Sequence, residues 1–314
     1  MRRAARVCVA AAVMMSGPAL AAPDVPPAPR FGAVDLEILD HGQKPRVLLA
    51  FDAKPGGRES MVMELDIDQT QVLDDLIVQQ VVLPTMVFEM IFEHDEEQAA
   101  GSISSSFGVV STDLAMREGV PPGVIDAIRP GFAGMVGLRG RQVVLTNGRV
   151  VEAEIHDNPA LPAEIAQSMD QMVDSMKNVQ IPFPLEPVGV GAMWDVSSTI
   201  PLQAMTIEQV TSYTVTAIDG DRITFDITVM QDAAEGQKVN DVEGAWESTI
   251  KSYTGVGFGE AVFSLSQITP VRSTVTLDNH LEIEAVQGER KAVSLMSSLT
   301  EIRITGQVLP AEPD

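Results

Sequence analysis

The sequence predicts an α+β protein that is mainly antiparallel β, with a large curved sheet or incomplete barrel and two helices packed on its concave face. Three observations support this prediction. Asn147-Gly148 and Asp219-Gly220 each lie between stretches of strand character, which is a strong hairpin signal. Almost all of the chain after residue 188 has a strand pattern. The chain shows no regular alternation of strands and helices, so a parallel sheet is not expected.

The N-terminal segment has the features of a secretory signal peptide. Residues 1–21 begin with three arginines, continue with a short apolar run and end on Ala19-Leu20-Ala21, the small-residue pattern that precedes cleavage. The apolar run is far shorter than the ~20 residues that a membrane-spanning helix needs. We therefore expect an exported protein without stable membrane insertion, in the periplasm or outside the cell.

The chain is strongly acidic. It contains 21 Lys and Arg against 44 Asp and Glu, a formal net charge of −23, and loss of the three signal arginines would leave 18 − 44 = −26. Such a charge repels phosphate backbones, so we expect no nucleic-acid partner, whereas it would attract a basic protein partner. Cys8 is the only cysteine and lies in the signal segment. The mature chain would therefore have no thiol for disulfides, catalysis or metal binding.

Composition and pattern divide the rest of the chain into four parts. We expect a proline-rich leader at residues 22–32, an N-terminal half with strands and two helices at residues 33–187, a C-terminal antiparallel half at residues 188–306 and a tail at residues 307–314.

Two predicted strands of the N-terminal half each have one apolar face. The alternation over residues 59–68 and 85–93 places methionines on these faces, namely Met61, Met63, Met86 and Met90.

Two helices are predicted in the same half. The first begins at Pro121-Pro122, its apolar stripe includes Ile128 and Phe132, and Pro130-Gly131 is expected to kink or end it early. The second begins at Pro162 and carries one apolar stripe, formed by Ile165, Met169, Met172, Val173 and Met176.

A glycine series in the C-terminal half is expected to interrupt the strands. Gly255, Gly257 and Gly259 lack the following lysine and hydroxyl residue of a phosphate loop. Glycine at alternating positions is typical of a bend or a bulge. Residues 278–280 are expected to form a turn between two further strands.

The segment Pro184-Leu-Glu-Pro-Val-Gly-Val-Gly-Ala-Met-Trp194 resembles the start of the second half in a family of exported bacterial proteins of unknown function. Tyr213, the Asp219-Gly220 turn, Ala233 and the glycine series fit the same pattern. The resemblance covers roughly residues 40–305 and implies no activity. The predicted architecture is also similar to that of periplasmic lipoprotein carriers and their mycobacterial lipid-binding relatives. That resemblance implies an incomplete barrel around an apolar cavity.

The candidate ligand-lining residues come from the apolar stripes of both helices and from the methionine-bearing strands. Flexible thioether side chains can line a site for an acyl chain, fill gaps in an ordinary core or bind Cu(I), and these alternatives stay open at this point. The candidates are Met61, Met63, Met86, Met90, Ile128, Phe132, Ile165, Met169, Met172, Val173 and Met176.

The sequence contains no recognised catalytic or metal-binding motif. Residues 93–97 gather carboxylates and an imidazole, but without the spacing of a calcium loop. The four histidines fit neither a zinc-protease motif nor a nucleophile elbow. We therefore predict no catalytic residue, no metal site and no cofactor.

Three functions remain open. The first is a non-enzymatic carrier or binder of an apolar, lipid-like small molecule, which the curved antiparallel pattern and the methionine-rich stripes favour. The second is an acidic structural or interaction protein of the cell envelope. The third is a hydrolase whose site the sequence does not reveal.

Overall fold

A computed structural model describes residues 35–73, 76–156, 181–202, 205–239, 247–288 and 290–310. The elements of the first half are β1 (Asp35–Asp40), β2 (Arg58–Leu73), β3 (Leu76–Val82), β4 (Thr85–His94), β5 (Ser102–Ala115), α1 (Val124–Ala133), β6 (Arg139–Leu145) and β7 (Val150–Ile155). Those of the second half are β8 (Met193–Leu202), β9 (Met205–Asp219), β10 (Arg222–Asp232), β11 (Lys238–Val239), β12 (Glu247–Ser264), β13 (Arg272–Gln287) and β14 (Arg290–Leu309).

All of these strands belong to one antiparallel sheet. Its order is β1-β8-β9-β10-β12-β13-β14-β2-β4-β5-β6-β7, with β3 paired to β2 and β11 paired to β12. β1 and β7 form the two ends and do not pair with each other, so the sheet is open. Apart from the β1–β8 pairing, the two halves meet where β14 pairs with β2, over an unbroken register from Ser294–Leu73 to Leu309–Arg58. We call this pairing the seam.

The prediction of a mainly antiparallel β protein with a large open sheet is confirmed. Both hairpins are present, as β6–β7 around Asn147-Gly148 and as β9–β10 around Asp219-Gly220. Among the described residues there is one helix rather than two. The second predicted helix, the signal peptide and the proline-rich leader lie outside the described residues.

The expected breaks in two C-terminal strands are wrong. β12 runs without a break through the glycine series, and β13 runs through residues 278–280. The register on β12 shifts instead between Ile250 and Ser252. Each glycine of the series is paired on both sides, because β10 and β13 hold the backbone of β12 in the sheet. Non-local pairing therefore overrides the local preference of glycine for a break.

Two segments between strands cover part of one face of the sheet. We call this face, which carries Trp194 and Phe225, the inner face, and we call residues 47–53 and 181–188 the covering segments. The Phe51 N–H donates to the Thr146 carbonyl beside β6, and the next N–H, of Asp52, donates to Leu265 beside β12. Five strands separate β6 from β12. In a flat sheet the two would be about 29 Å apart, so the sheet must curve strongly around the covering segments.

The main core lies between the covering segments and the inner face. The ring centroids of Phe51 and Phe183 are 4.9 Å apart, and Phe183 stacks on Phe225 at 6.0 Å. Trp194 meets Phe225 edge-on at 5.7 Å and donates its indole N–H to the Pro182 carbonyl at 3.1 Å. Trp194 is completely buried. Its hydrogen bond therefore satisfies the buried indole donor.

Helix α1 covers another part of the inner face, as predicted for the first helix. Its buried residues Ile128 and Phe132 pack in one cluster with Met86, Phe88 and Leu114. The rings of Phe88 and Phe132 are 4.7 Å apart. The helix continues past Pro130 to Ala133, so the proline does not end it.

A network of charged side chains holds the outer side of the seam. Arg303 on β14 donates to Glu64 and Asp66 on β2, both at 2.9 Å, and to Glu301 at 2.7 Å. Arg117, which follows β5, bonds to Asp68 and lies 3.6 Å from Asp66. The two halves are thus joined by side chains as well as by backbone pairing.

The environment of Asp66 favours its charged form. Burial acts to raise the pKa of this carboxyl, but hydrogen bonds from Thr85 and Arg303, together with the charges of Arg303 and Arg117, lower the pKa below its ordinary value of 3.8. A carboxyl whose pKa is lowered by folding stabilises the protein above its unfolded-state pKa. That contribution is lost as the pH falls through the lower folded-state pKa.

Replacing Arg303 with methionine should weaken the seam. We expect the free energy of unfolding at neutral pH to fall by about 1–2 kcal/mol, because three charge-assisted contacts are lost and their carboxylates are left close together. The difference from the unaltered protein should shrink below pH 3.8 as Asp66 takes up its proton. Urea unfolding across this pH range measures both effects.

The matched control for this variant is Arg272→Met. Arg272 forms one pair with Glu260 at 2.7 Å, and both side chains are more than half exposed. Its loss should cost less than about 0.5 kcal/mol. Equal effects of the two variants would contradict the role assigned to the seam network.

Candidate functional site

The middle of the inner face carries no charged side chain. Four successive rows of paired residues, from the row of Ile304 to the row of Ser298, cross β9, β10, β12, β13, β14 and β2, and a fifth, the row of Met296, crosses the same strands except β10. All of their inner positions are apolar, neutral polar or glycine. The outer positions of the same strands include Glu64, Glu282 and Arg303. In a chain of net charge −23, this surface excludes charge selectively.

A partly exposed apolar surface lies in two of these rows. Its side chains are half-buried. Some of them pack against the main core and the others against the cluster under α1. A contiguous apolar surface that stays partly exposed to solvent is a candidate binding site. We call it the apolar strip, and it consists of Leu65, Ile67, Val275, Leu277 and Ile302.

The next row is made of amide and hydroxyl side chains. Direct backbone pairing places its members side by side on six adjacent strands. We call it the amide row, and it consists of Gln209, Gln231, Gly255, Asn279, Ser298 and Gln69.

Hydrogen bonds connect the amide row. Gln231 Nε2 donates to Gln209 Oε1 at 2.7 Å, and Gln209 Nε2 donates to Thr211 Oγ1 at 3.1 Å. The Tyr253 hydroxyl lies 2.7 Å from Gln231 Oε1 and 3.2 Å from Asn279 Oδ1. Burial raises the pKa of Tyr253 to about 12, so the hydroxyl keeps its single proton and shares it between these two oxygens.

Beyond the amide row the inner face becomes apolar again. Ile207, Ala233, Ile250 and Tyr253 form a small buried cluster. Ile200, Met205 and Leu281 pack against it and are half-buried. The amide row therefore lies between two apolar surfaces.

Glycine at position 255 makes room for this arrangement. A Cβ on Gly255 would overlap Asn279 Oδ1 and lie 2.8 Å from Gln231 Oε1, which are two members of the amide row. A Cβ on Gly259 would instead overlap the backbone carbonyl oxygen of Thr274. The first position leaves space for movable side chains, whereas the second allows a close approach of backbones.

Six of the ligand-lining candidates predicted from the sequence lie among the described residues, and all six pack in hydrophobic clusters. Met61 and Met90 are buried in the main core, and Met86 is buried with Ile128 and Phe132 under α1. Met63 is half-buried and contacts both clusters. The remaining candidates, Ile165, Met169, Met172, Val173 and Met176, lie outside the described residues.

A buried carboxylate forms a second polar centre near the seam. Glu59 on β2 is 1% exposed. Its Oε1 accepts from His94 Nε2 at 2.8 Å and from the Ile268 N–H at 2.9 Å. Its Oε2 accepts from the N–H and the hydroxyl of Thr269, at 2.9 and 2.7 Å. Glu59 therefore ties β2 to β4 and to the β12–β13 connection.

The polar row beside Glu59 contains groups that a hydrolase could use, but they are inaccessible. His94 pairs across β4–β5 with Ser105, and Ser105 pairs across β5–β6 with Gln142. Ser105 is completely buried, and no hydrogen bond joins its hydroxyl to His94. A nucleophile needs both an activating base in contact and access for the substrate. This row therefore does not provide a hydrolytic site in this conformation.

A cavity of about 620 Å³ separates the two ends of the sheet. Leu36 and Ile38 of β1 line one side, and Asn147 and Arg149 of the β6–β7 turn line the other. A pair between His41 and Glu186 at 2.6 Å also borders it. Unlike the middle of the inner face, this cavity is lined by charges of both signs.

The acidic run at residues 93–97 is divided among separate contacts. Glu93 pairs with Arg58 at 3.1 Å, Asp95 pairs with Arg141 at 2.5 Å, and His94 is buried with Glu59. Within the part of the chain that the structure describes, no three His, Cys, Asp or Glu side chains are grouped to hold a metal ion.

Nor does any helix among the described residues have the length and apolar character required to cross a membrane.

Sequence reasoning missed the residues of both polar centres. Glu59 is two residues from Met61 on its strand, and Gln231 is two residues from Val229. Because side chains two residues apart point to the same face of a sheet, this spacing could have placed both polar residues on the inner face. Their partners could not be found in this way, because Glu59 bonds to residues 209 and 210 positions away.

Comparisons with known proteins give no functional precedent for this site. A scan against protein families and a search of curated proteins each find no match. Among solved structures, in-vitro folded OmpT, an outer membrane protein of Vibrio cholerae, is 5% identical, with 82% of this chain and 100% of that chain covered and a TM-score of 0.17. Acinetobacter baumannii OccAB3 is 4% identical, with 80% and 99% covered and a TM-score of 0.17. Scores this low do not identify a common fold, so nothing about this protein is inferred from these two structures.

Replacing Glu59 with glutamine should destabilise the protein by about 3 kcal/mol. The new amide group would face donors that now bond to a carboxylate oxygen, and a buried donor would lose its acceptor. Urea unfolding provides the measurement, with Glu64→Gln on the outer face of the same strand as the control. A cost for Glu59→Gln no greater than for the control would contradict the role of the buried carboxylate.

Two glycines of one strand should respond differently to alanine. Gly255→Ala should cost about 1 kcal/mol or less, since flexible amide side chains can move away. Gly259→Ala should cost about 3 kcal/mol, since a backbone carbonyl must move. Thermal and urea unfolding of the two variants test this difference. Equal costs would show that the inner face does not have the described packing.

Proposed function

We propose that the protein is an exported, non-enzymatic binder or carrier of an apolar, lipid-like molecule, and that the ligand lies on the inner face. The observation that carries the proposal is the charge-free middle of the inner face with its partly exposed apolar strip. Burial of such a surface by a ligand is favourable by about 25 cal/mol per Å². The curvature of the sheet gives this surface the concave form typical of small-molecule sites.

The distribution of charge supports an apolar ligand over an ionic one. The outer positions carry acidic side chains and their arginine partners, whereas the five inner rows carry none. An ionic ligand on the inner face would lose its hydration without gaining a partner of opposite charge. An apolar ligand would lose nothing of this kind.

A displacement assay with the protein freed of bound lipid tests the proposal. The reporter is phenylnaphthylamine, whose fluorescence rises in apolar surroundings, and the competitor is a long-chain hydrocarbon. We expect saturable binding that Leu277→Lys weakens by about tenfold or more, because the lysine places a charge in the apolar strip.

The control is Leu299→Lys, which changes the same residue type on the outer face. This variant should bind as the unaltered protein does. If Leu277→Lys does not fold, Leu277→Ser gives a smaller change at the same position. Absence of saturable binding by the unaltered protein, or equal binding by inner-face and outer-face variants, would overturn the proposal.

A further inference from the structure

We propose that the amide row selects a neutral ligand with an internal carbonyl group, such as an ester or an amide, flanked by apolar groups on both sides. This inference rests on the proposed function and names the chemistry of its ligand. It is carried by the hydrogen bonds of the row and by the position of the row between two apolar surfaces.

The amide row has N–H donors that its internal hydrogen bonds do not use. The carboxamide oxygen of Gln209 accepts from Gln231, and those of Gln231 and Asn279 face the Tyr253 hydroxyl. Each carboxamide nitrogen carries two N–H donors. The row needs only one donor from Gln231 and one from Gln209, which bonds to Thr211. The row can therefore still offer N–H donors to an acceptor on the ligand.

The acceptor that fits this row is neutral. No arginine, lysine or histidine occupies the five inner rows, and the whole chain has a net charge of −23. A carboxylate or a phosphate would enter without a counter-charge and against the field of the protein. A carbonyl oxygen accepts N–H donors and carries no such cost.

The acceptor should lie within the ligand rather than at its end. Alternate residues of a strand are about 7 Å apart. Leu277 of the apolar strip and Leu281 of the small cluster are therefore each about 7 Å from Asn279, on opposite sides. A ligand that crosses the row places apolar groups on both surfaces. Its carbonyl group then meets the donors between them.

Four competitors of equal length test the inference in the displacement assay. They are a dialkyl ester, the matching N-alkyl amide, the hydrocarbon and the fatty acid. We expect the ester and the amide to bind about fivefold more tightly than the hydrocarbon, the gain of one net hydrogen bond, and the fatty acid to bind most weakly.

Variants of the row show whether it causes this preference. Gln231→Leu and Asn279→Leu should each remove the preference for ester and amide over hydrocarbon. Gly255→Ala, which displaces the same amides without removing them, should reduce the preference. Gln307→Leu, at an exposed outer position of β14, is the matched control and should keep the preference.

The outcomes separate this inference from the function on which it rests. Equal binding of ester and hydrocarbon, a preference that survives in the row variants, or tightest binding of the fatty acid would overturn the inference and leave the proposed function standing. If none of the four competitors displaces the reporter, the proposed function fails and the inference fails with it.

Discussion

The pairing of β14 with β2 is the constraint on which the rest of the structure depends. It joins two groups of strands into one sheet and so creates a single inner face across both halves. The Arg303 network holds this pairing from the outside. On the inside, Glu59 binds the β12–β13 connection and His94. If the seam were absent, the apolar strip would be divided between two separate sheets.

Local features of the fold could be predicted from the sequence, because their physical causes are local. The Asn147-Gly148 and Asp219-Gly220 turns specify hairpins through backbone preferences of a few residues. The alternation in β4 specifies which face is buried. The glycine series also gave a local signal, for a break in the strand, but pairing with β10 and β13 overrode it. Tertiary context decides strand formation where local preference is weak.

The site could not be predicted because it depends on register across strands. Parity alone would place Gln209, Gln231 and Asn279 on the inner face, yet only the pairing of β9, β10, β12 and β13 brings them into one row. A shift of one residue in any of these strands would turn its amide outward. The methionines were predicted to line a ligand site because they are flexible and numerous. In the structure, Met61 and Met90 fill the core, while less conspicuous amides line the open surface.

The seam also has a consequence for the order of events during synthesis. β2 is made early and its partner β14 is the last strand of the described chain, with side-chain contacts that join residues 239 positions apart. Sheets dominated by such distant contacts form slowly, because a long loop must close before the contacts can stabilise it. Until β14 is available, β2 has an unpaired edge that can associate with other chains. The nascent protein is therefore vulnerable to aggregation through this edge until β14 has been made.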